Sequence, residues 1–518
     1  MTAIALRSDA VAGDTDASFP ETRLLAINTG WNFLGQFLPL CVAVACLPPL
    51  IHAIGAARLG VLALAWAALG SASLFDLGVG RAVTKLVAER LGHSDDADLA
   101  KDVWSALSAL AVIGLIGMVL VAVAAAPLGQ LLAQRNPALQ QESVRALRVL
   151  AIGIPFVTVG AGLRGNLEAN QLFRAASFGR VFLGVATFVG PLLVTIWSVE
   201  LPSLVAALVV VRALTATIFI TNCWLILPYM RRPTFGRIEF HVLALGGWMA
   251  LANGLATIFT YLDRFVIGGI LTLTSLGYYA VAYEVVTKMW LVPSSVVGVL
   301  FPAFSASTVH APDRAAVLYM KSSKVVFVAL MPVTLIIAVL AKPAMGLWLG
   351  NDIAASTAPV LQVLALGVLI NSVAFVSYCL LQASGRASVT ALVQLVEVPF
   401  YVVGLVLLVE RWGLLGAAAA WLARAVVDAA IQSYAALRRV DVHASAATGS
   451  ASWLACCFAL LVGSQWIGFS VTSDFAVRAA LLVLVLGCYM VVTWRLALQR
   501  PQRDRLLRWG RRLGSQGS

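Results

Sequence analysis

Charged side chains are scarce in this sequence: Asp, Glu, Lys and Arg together make up 12% of 518 residues. A soluble domain carries about a quarter, so a single water-soluble core with a solvated surface is excluded. Histidine is rarer still, with five in the chain. The seven cysteines form no CxxC, only the adjacent pair Cys456 and Cys457. Neither a zinc site nor a disulfide framework follows from that usage, and no metal ligand or catalytic residue is assigned. No GxxxxGK[ST] occurs, which argues against direct ATP coupling within the chain. The first 23 residues carry Asp9, Asp14, Asp16 and Glu21 but no basic n-region leading to a cleavage site. No removable signal peptide is expected, and the first span is its own anchor. Long polar loops are missing as well. The connections at about 81–102, 128–144 and 302–321 leave no room for a separate catalytic or nucleotide-binding domain.

What the chain has is hydrocarbon: 61% hydrophobic residues and a mean hydropathy of +0.92. Runs of about 20 apolar residues, the length that crosses a bilayer core, recur throughout. Gly and Pro punctuate them and no period-2 alternation is present, so they read as helices rather than barrel strands. The expectation is an all-α polytopic membrane protein with about fourteen spans. They lie at 24–52, 58–80, 103–127, 147–168, 176–198, 203–228, 241–263, 275–301, 322–345, 357–383, 388–409, 413–437, 452–470 and 475–497.

The net charge of +12 would suit nucleic acid, but its distribution argues otherwise. With the N-terminus placed in the cytoplasm, 24 of the 36 Lys and Arg fall on cytoplasmic segments and 8 on external ones. The other four, Arg164, Arg212, Lys288 and Arg424, fall inside spans. That asymmetry is the positive-inside rule, and it puts both termini in the cytoplasm. The tail "WRLALQRPQRDRLLRWGRRLG" interleaves seven Arg with Leu and Trp, which suits an anionic inner leaflet. Membrane lipids are therefore the expected partner there, and nucleic acid is not.

The sequence also repeats itself. "LRVLAIG" (147–153) answers "LQVLALG" (361–367), and "LEANQ" (167–171) answers "LQASG" (381–385), both at an offset of 214. "LGVLALAW" (59–66) matches "LGYYAVAY" (276–283) at 217, and Arg212 matches Arg424 at 212. A duplicated six-span unit follows: an N-lobe at 24–228 and a C-lobe at 241–437. Spans 452–497 are added behind them, with tails at 1–23 and 498–518. Parallel repeats of this kind enclose a central cavity, which is a transporter architecture.

Charges within spans are costly, about 2.5 to 3.5 kcal/mol each on insertion scales, and usually pair and face a cavity. Glu284 and Lys288 stand four apart with the acid first, the better orientation for a helical pair. Arg424 and Asp428 have the same spacing, and a tight turn near Arg411 and Trp412 would fold Glu397 back to their depth. Arg164 and Glu168 repeat it again, nearer the cytoplasm. Arg212 has no acid at helical spacing. Asn28, Asn32 and Gln36 make one polar face on the first span, and Asn253, Thr257 and Tyr261 make another on the seventh. Asp263 and Arg264, at the outer end of span seven, read either as a gate pair or as an interfacial anchor. All these groups have an alternative role as interhelical contacts that serve assembly alone.

The stretches "GAARLGVLALAWAALGSASLFDLGVGRAVTKLVAE" (55–89) and "LDRFVIGGILTLTSLGYYAVAYEVVTKMW" (262–290) resemble the start of each half in Wzx-type polysaccharide transporters. These belong to the multidrug/oligosaccharidyl-lipid/polysaccharide superfamily. The Leu-Gly-x-x-x-x-Ala patch, the Asp-Leu-Gly-x-Gly ending at Gly80 and the stretch at Asp263 carry the likeness, which extends over residues 24–437. The resemblance implies two six-helix lobes around a cationic lumen in the bacterial inner membrane. It implies ion-coupled alternating access that moves an undecaprenyl-diphosphate-linked oligosaccharide outward, without a cofactor beyond a proton or Na+ gradient. Other polysaccharide assembly proteins are implied as further partners. On that footing Arg212, Arg424, Lys288 and Arg164 would hold the diphosphate. Asn28, Asn32, Gln36 and Asn253 would contact sugar, Glu397, Glu284 or Asp428 would bind the coupling ion, and Asp263 with Arg264 would gate. Rival readings are a peptidoglycan lipid flippase and a drug/cation antiporter of the same superfamily. From another class, a membrane polysaccharide polymerase or ligase would need a larger external loop.

Overall fold

A computed structural model of the chain describes residues 18–71, 87, 96–132, 137–170, 172–231, 247–310, 312–439, 456–467 and 475–497. All secondary structure among these is helical. In chain order the helices are α1 (Ser18–Ser71), α2 (Asp96–Leu132), α3 (Pro137–Ala169), α4 (Phe173–Val194), α5 (Leu201–Ile226) and α6 (Gly247–Ile270). They continue with α7 (Leu273–Thr287), α8 (Leu291–His310), α9 (Pro312–Leu349), α10 (Asn351–Ala383), α11 (Ala387–Arg439) and α12 (Phe475–Val492). Helices are what a hydrocarbon solvent demands, because each backbone N–H and C=O must find its partner within the segment.

Nine helices among the described residues are long and apolar enough to cross a membrane, against fourteen expected spans. Two pairs of expected spans run together as one bent element. In α1 the bend is Gly55, at φ 77°, and in α11 it is Gly413, at φ 60°, a left-handed conformation that glycine adopts without penalty. The eighth span is interrupted rather than continuous: α7 ends in a 3₁₀ turn at Lys288–Trp290 before α8 begins. The thirteenth is described only as a shorter apolar helix, Cys456–Ile467. The seventh runs past its expected end at 263, since α6 continues to Ile270. The basic tail from 498 lies outside the described residues.

Helices α1 to α5 pack on one another, as do α6 to α11, and α12 lies against α9. The last contact includes Arg478, fully buried, whose guanidinium donates to the Val339 carbonyl at 2.9 Å. It lies within the expected span 475–497, yet it was not among the basic residues singled out from the sequence. The main seam between the two groups is α1 against α7. Leu59, Leu62 and Leu64 share its core with Leu276, Tyr279 and Tyr283.

At the head of this seam the duplicated Leu-Gly meets its own copy. A β-carbon on Gly60 would overlap the carbonyl oxygen of Leu273, and one on Gly277 would overlap that of Ala56. Each clash is with the residue four before the partner glycine, so the contact is reciprocal, as across a two-fold axis. Backbones this close leave no space for a side chain. Gly60→Val or Gly277→Val must push the helices apart, at a cost of about 1 to 3 kcal/mol or more. Either should lower the thermal unfolding midpoint of the detergent-solubilised protein. Gly487→Ala, on a face of α12 where a β-carbon meets nothing within 4 Å, should not lower it.

Candidate functional site

The intramembrane charges converge where α6, α7 and α11 meet. In α7 the expected pair is formed: Lys288 Nζ lies 3.1 Å from Glu284 Oε2. Lys288 is the residue at which the helix tightens into its 3₁₀ turn, a local change often found at hinges. The other Glu284 oxygen faces Arg264 of α6 at 4.0 Å. That guanidinium lies 4.7 Å above the Tyr283 ring and 5.2 Å from the Tyr261 ring. Next to it, Asp263 accepts from the Tyr279 hydroxyl and from the backbone N–H of Arg264, the latter at 2.7 Å.

In α11 the fold at Gly413 returns the chain antiparallel, so that Glu397 on one arm meets Arg424 on the other at 3.8 Å. The Arg424 guanidinium is boxed by aromatic faces: Phe259 at 4.5 Å, Trp421 at 5.7 Å and Tyr401 at 5.8 Å. Such stacking over ring faces stabilises a desolvated guanidinium by about 2 kcal/mol. Trp421, Arg424 and Asp428 share one face of the arm at helical spacing. Asp428 accepts from its own i+4 neighbour Gln432.

Aromatic rings join the two charge groups. Tyr283 stacks on Tyr279 at 6.1 Å and meets Trp421 edge-on at 6.4 Å. The same indole that lies beside Arg424 therefore touches the ring beneath Arg264. From the other helix group, Arg212 of α5 comes within electrostatic range of Tyr261; among the described residues it has no carboxylate partner. Bases and acids balance in this set: Arg212, Arg264, Lys288 and Arg424 stand against Asp263, Glu284, Glu397 and Asp428. By formal charge the four bases and four acids of the described cluster are thus equal in number.

Behind Arg424, within α6 to α11, lies a cavity of about 610 Å³. Asn371, Gln382, Gln394, Gln432 and Asp428 give it amide and carboxylate lining, and Phe259, Trp290 and Trp421 give it aromatic walls. Not every polar group here is satisfied. Neither oxygen of Glu397 accepts a hydrogen bond among the described residues, and the Nε atoms of Arg264 and Arg424 have no acceptor.

The remaining sequence candidates fall elsewhere. Arg164 pairs with Glu168 at 3.8 Å, with side chains 44% and 33% exposed, on α3. Asn28, Asn32 and Gln36 follow one another at the expected spacing on α1, and Asn253 lies on α6, but their side chains lie outside the described residues. Asp263 and Arg264 are not at the end of a span, because α6 continues to Ile270. They are 0% and 2% exposed, which excludes an interfacial anchor. The aromatic members Tyr279, Tyr283, Tyr401 and Trp421 were not picked out from the sequence. Trp421 three before Arg424, and Tyr401 four after Glu397, were the available signals.

Residues 54–358 match the family described as "Polysaccharide biosynthesis protein". The chain belongs to this family. A protein of Shigella flexneri described as a candidate O-antigen transporter is 25% identical to this family member over 421 residues, covering 80% of this chain and 98% of that one. Among solved structures, the lipid II flippase MurJ in an inward closed conformation aligns with a TM-score of 0.69 at 14% identity. That match covers 91% of this chain and 99% of MurJ. An inward-facing multidrug resistance MATE transporter of the MOP superfamily aligns at 0.62 and 14% identity, over 79% and 94% of the two chains. This multi-pass member of the polysaccharide biosynthesis family therefore has the MOP transporter fold.

The hydrogen bonds of the cluster separate two tyrosines. Tyr279→Phe leaves a buried Asp263 oxygen without its donor, which costs about 1 to 3 kcal/mol and should lower the thermal midpoint in detergent. The Tyr283 hydroxyl has no hydrogen-bond partner among the described residues. Tyr283→Phe should therefore melt close to the unsubstituted protein.

Proposed function

We propose that this protein is a flippase for undecaprenyl-diphosphate-linked oligosaccharides, serving surface or exopolysaccharide synthesis in the bacterial inner membrane with both termini cytoplasmic. Its halves, 24–228 and 241–437, would rock about the α1–α7 seam. The observation that carries this reading is the buried, balanced cluster around Arg424 in a chain of the polysaccharide biosynthesis family. The Shigella relative's description as a candidate O-antigen transporter points the same way.

A diphosphate adds two negative charges to a neutral cluster. Uncompensated buried charge is costly, so phosphate can replace a carboxylate beside an arginine only if that carboxylate is neutralised. Glu397 is the natural place for this. It touches Arg424, it lies near Asp428, and its oxygens accept no hydrogen bond among the described residues. A proton or Na+ taken up there would release Arg424 for phosphate, and its loss would restore the pair and expel the head group. Glu284 and Asp428 are the further candidates for the coupling ion. Arg212, with no acid of its own among the described residues, would present the second cation from the opposite half, and Lys288 would lie close by. The amides of the 610 Å³ cavity, with Asn28, Asn32, Gln36 and Asn253, would serve the sugars.

Deleting the gene should trap lipid-linked repeat units on the cytoplasmic leaflet and abolish surface polymer; unaltered polymer removes the proposal. For coupling, Glu397→Gln should leave protein abundance intact but make export insensitive to collapse of the ion gradient. Arg424→Lys retains the charge but loses the planar stacking and fork geometry. It should lower export about tenfold, equivalent to about 1.4 kcal/mol, at unchanged abundance.

A further inference from the structure

A second cavity, about 690 Å³, lies between the two arms of α11. Its walls are hydrocarbon, with Val393, Val396, Phe400, Leu408, Val427 and Ile431 among them. Val396 is 61% and Phe400 75% exposed, so the cleft opens outward. The polar side chains of the same hairpin, Gln394, Asp428 and Gln432, line the inner cavity instead. An exposed face made of hydrocarbon, on helices in a bilayer, is turned to lipid chains. At the floor of this cleft are Glu397, Tyr401 and Arg424.

Arg424 lines both spaces. It is therefore the point where a cleft for hydrocarbon meets a cavity for polar groups. Both floor charges are more than nine-tenths buried, and both have hydrogen-bonding capacity unused among the described residues: the two Glu397 oxygens and Arg424 Nε. We infer that this cleft seats the polyisoprenoid chain of the cargo, with the diphosphate at Arg424 in the place Glu397 holds when the site is empty. This rests on the flippase reading above and adds to it where the lipid part travels.

Depth decides between a cargo lipid and a bystander. Arg424 is eleven residues beyond the bend at Gly413, roughly 16 Å along the helix, about half of a 30 Å hydrocarbon core. Bilayer phospholipids keep their head groups at the surface, so their phosphates do not reach this level. A lipid whose head is being carried through the protein does. Its chain would remain in the membrane beside α11 while the head crosses inside, which spares the protein from enclosing a long hydrocarbon.

The test uses the full-length protein in nanodiscs of zwitterionic phospholipid and a polyprenyl diphosphate with a diazirine on its chain. After photolysis, cross-links should map to the α11 cleft, at Val396, Phe400 or Val427. A β-carbon at Gly404, in the cleft wall, meets nothing within 4 Å, so Gly404→Phe can extend its ring into the space. Ala423→Phe fills it from the other arm. Each should reduce cleft labelling at least fivefold with the thermal midpoint unchanged, and the agreement of the two guards against a folding artefact in one. A hundredfold excess of phosphatidylglycerol should leave labelling intact. Equal displacement by phosphatidylglycerol would make the cleft a general lipid groove, and labels confined to other helices would place the chain elsewhere. Either overturns this inference, yet neither touches the flippase reading, which the deletion phenotype judges separately.

Discussion

An arginine in the middle of a hydrocarbon slab has to be given a surrounding that replaces water. Most of what is distinctive in this protein follows from meeting that need at Arg424. The bend at Gly413 brings Glu397 alongside it. Phe259, Trp421 and Tyr401 close over its faces, and Trp421 in turn fixes Tyr283, on which Arg264 lies. From there the contacts pass through Glu284 to Lys288. Charges at 264, 288 and 424 are thus parts of one packed unit in which moving one shifts the support of the next. Such a unit has few stable arrangements, because close-packed interiors do not deform continuously.

A formal balance of four bases and four acids gives this unit its chemical character. A site permanently rich in cations would hold a diphosphate tightly and release it slowly. One in which Arg264, Lys288 and Arg424 already have a carboxylate in their surroundings must exchange one anion for another, and the exchange can run in both directions. The uneven satisfaction of the pairs fits that reading: Lys288 and Glu284 are hydrogen-bonded at 3.1 Å, whereas Glu397 and Arg424 stay 3.8 Å apart. The looser pair is the one whose arginine borders both cavities.

Much of the fold was legible because the bilayer imposes it. Long apolar runs must become helices, the bend at Gly55 falls in the short connection that hydropathy leaves between two spans, and that at Gly413 falls on the first residue of the twelfth. The i, i+4 pair of Glu284 and Lys288 could be read directly, and so could the meeting of Glu397 with Arg424 through a tight turn. Asp263 and Arg264 could not be placed correctly for a specific reason: two charged residues depress local hydropathy, so the seventh span seemed to stop at residues that are among its most deeply buried. The aromatic links were illegible for a different one. Tyr283 and Trp421 lie on helices whose contact depends on the path of the whole chain, and neither residue carries a local mark of its partner.

The reciprocal meeting of Gly60 and Gly277 bears on how such a chain arose. In a homodimer of a half-length ancestor, a residue on the symmetry axis faces itself, so any side chain there would collide with its own image. The Gly60–Gly277 contact has that same geometry within one chain, each glycine meeting the backbone four residues before the other, so neither position has room for a side chain.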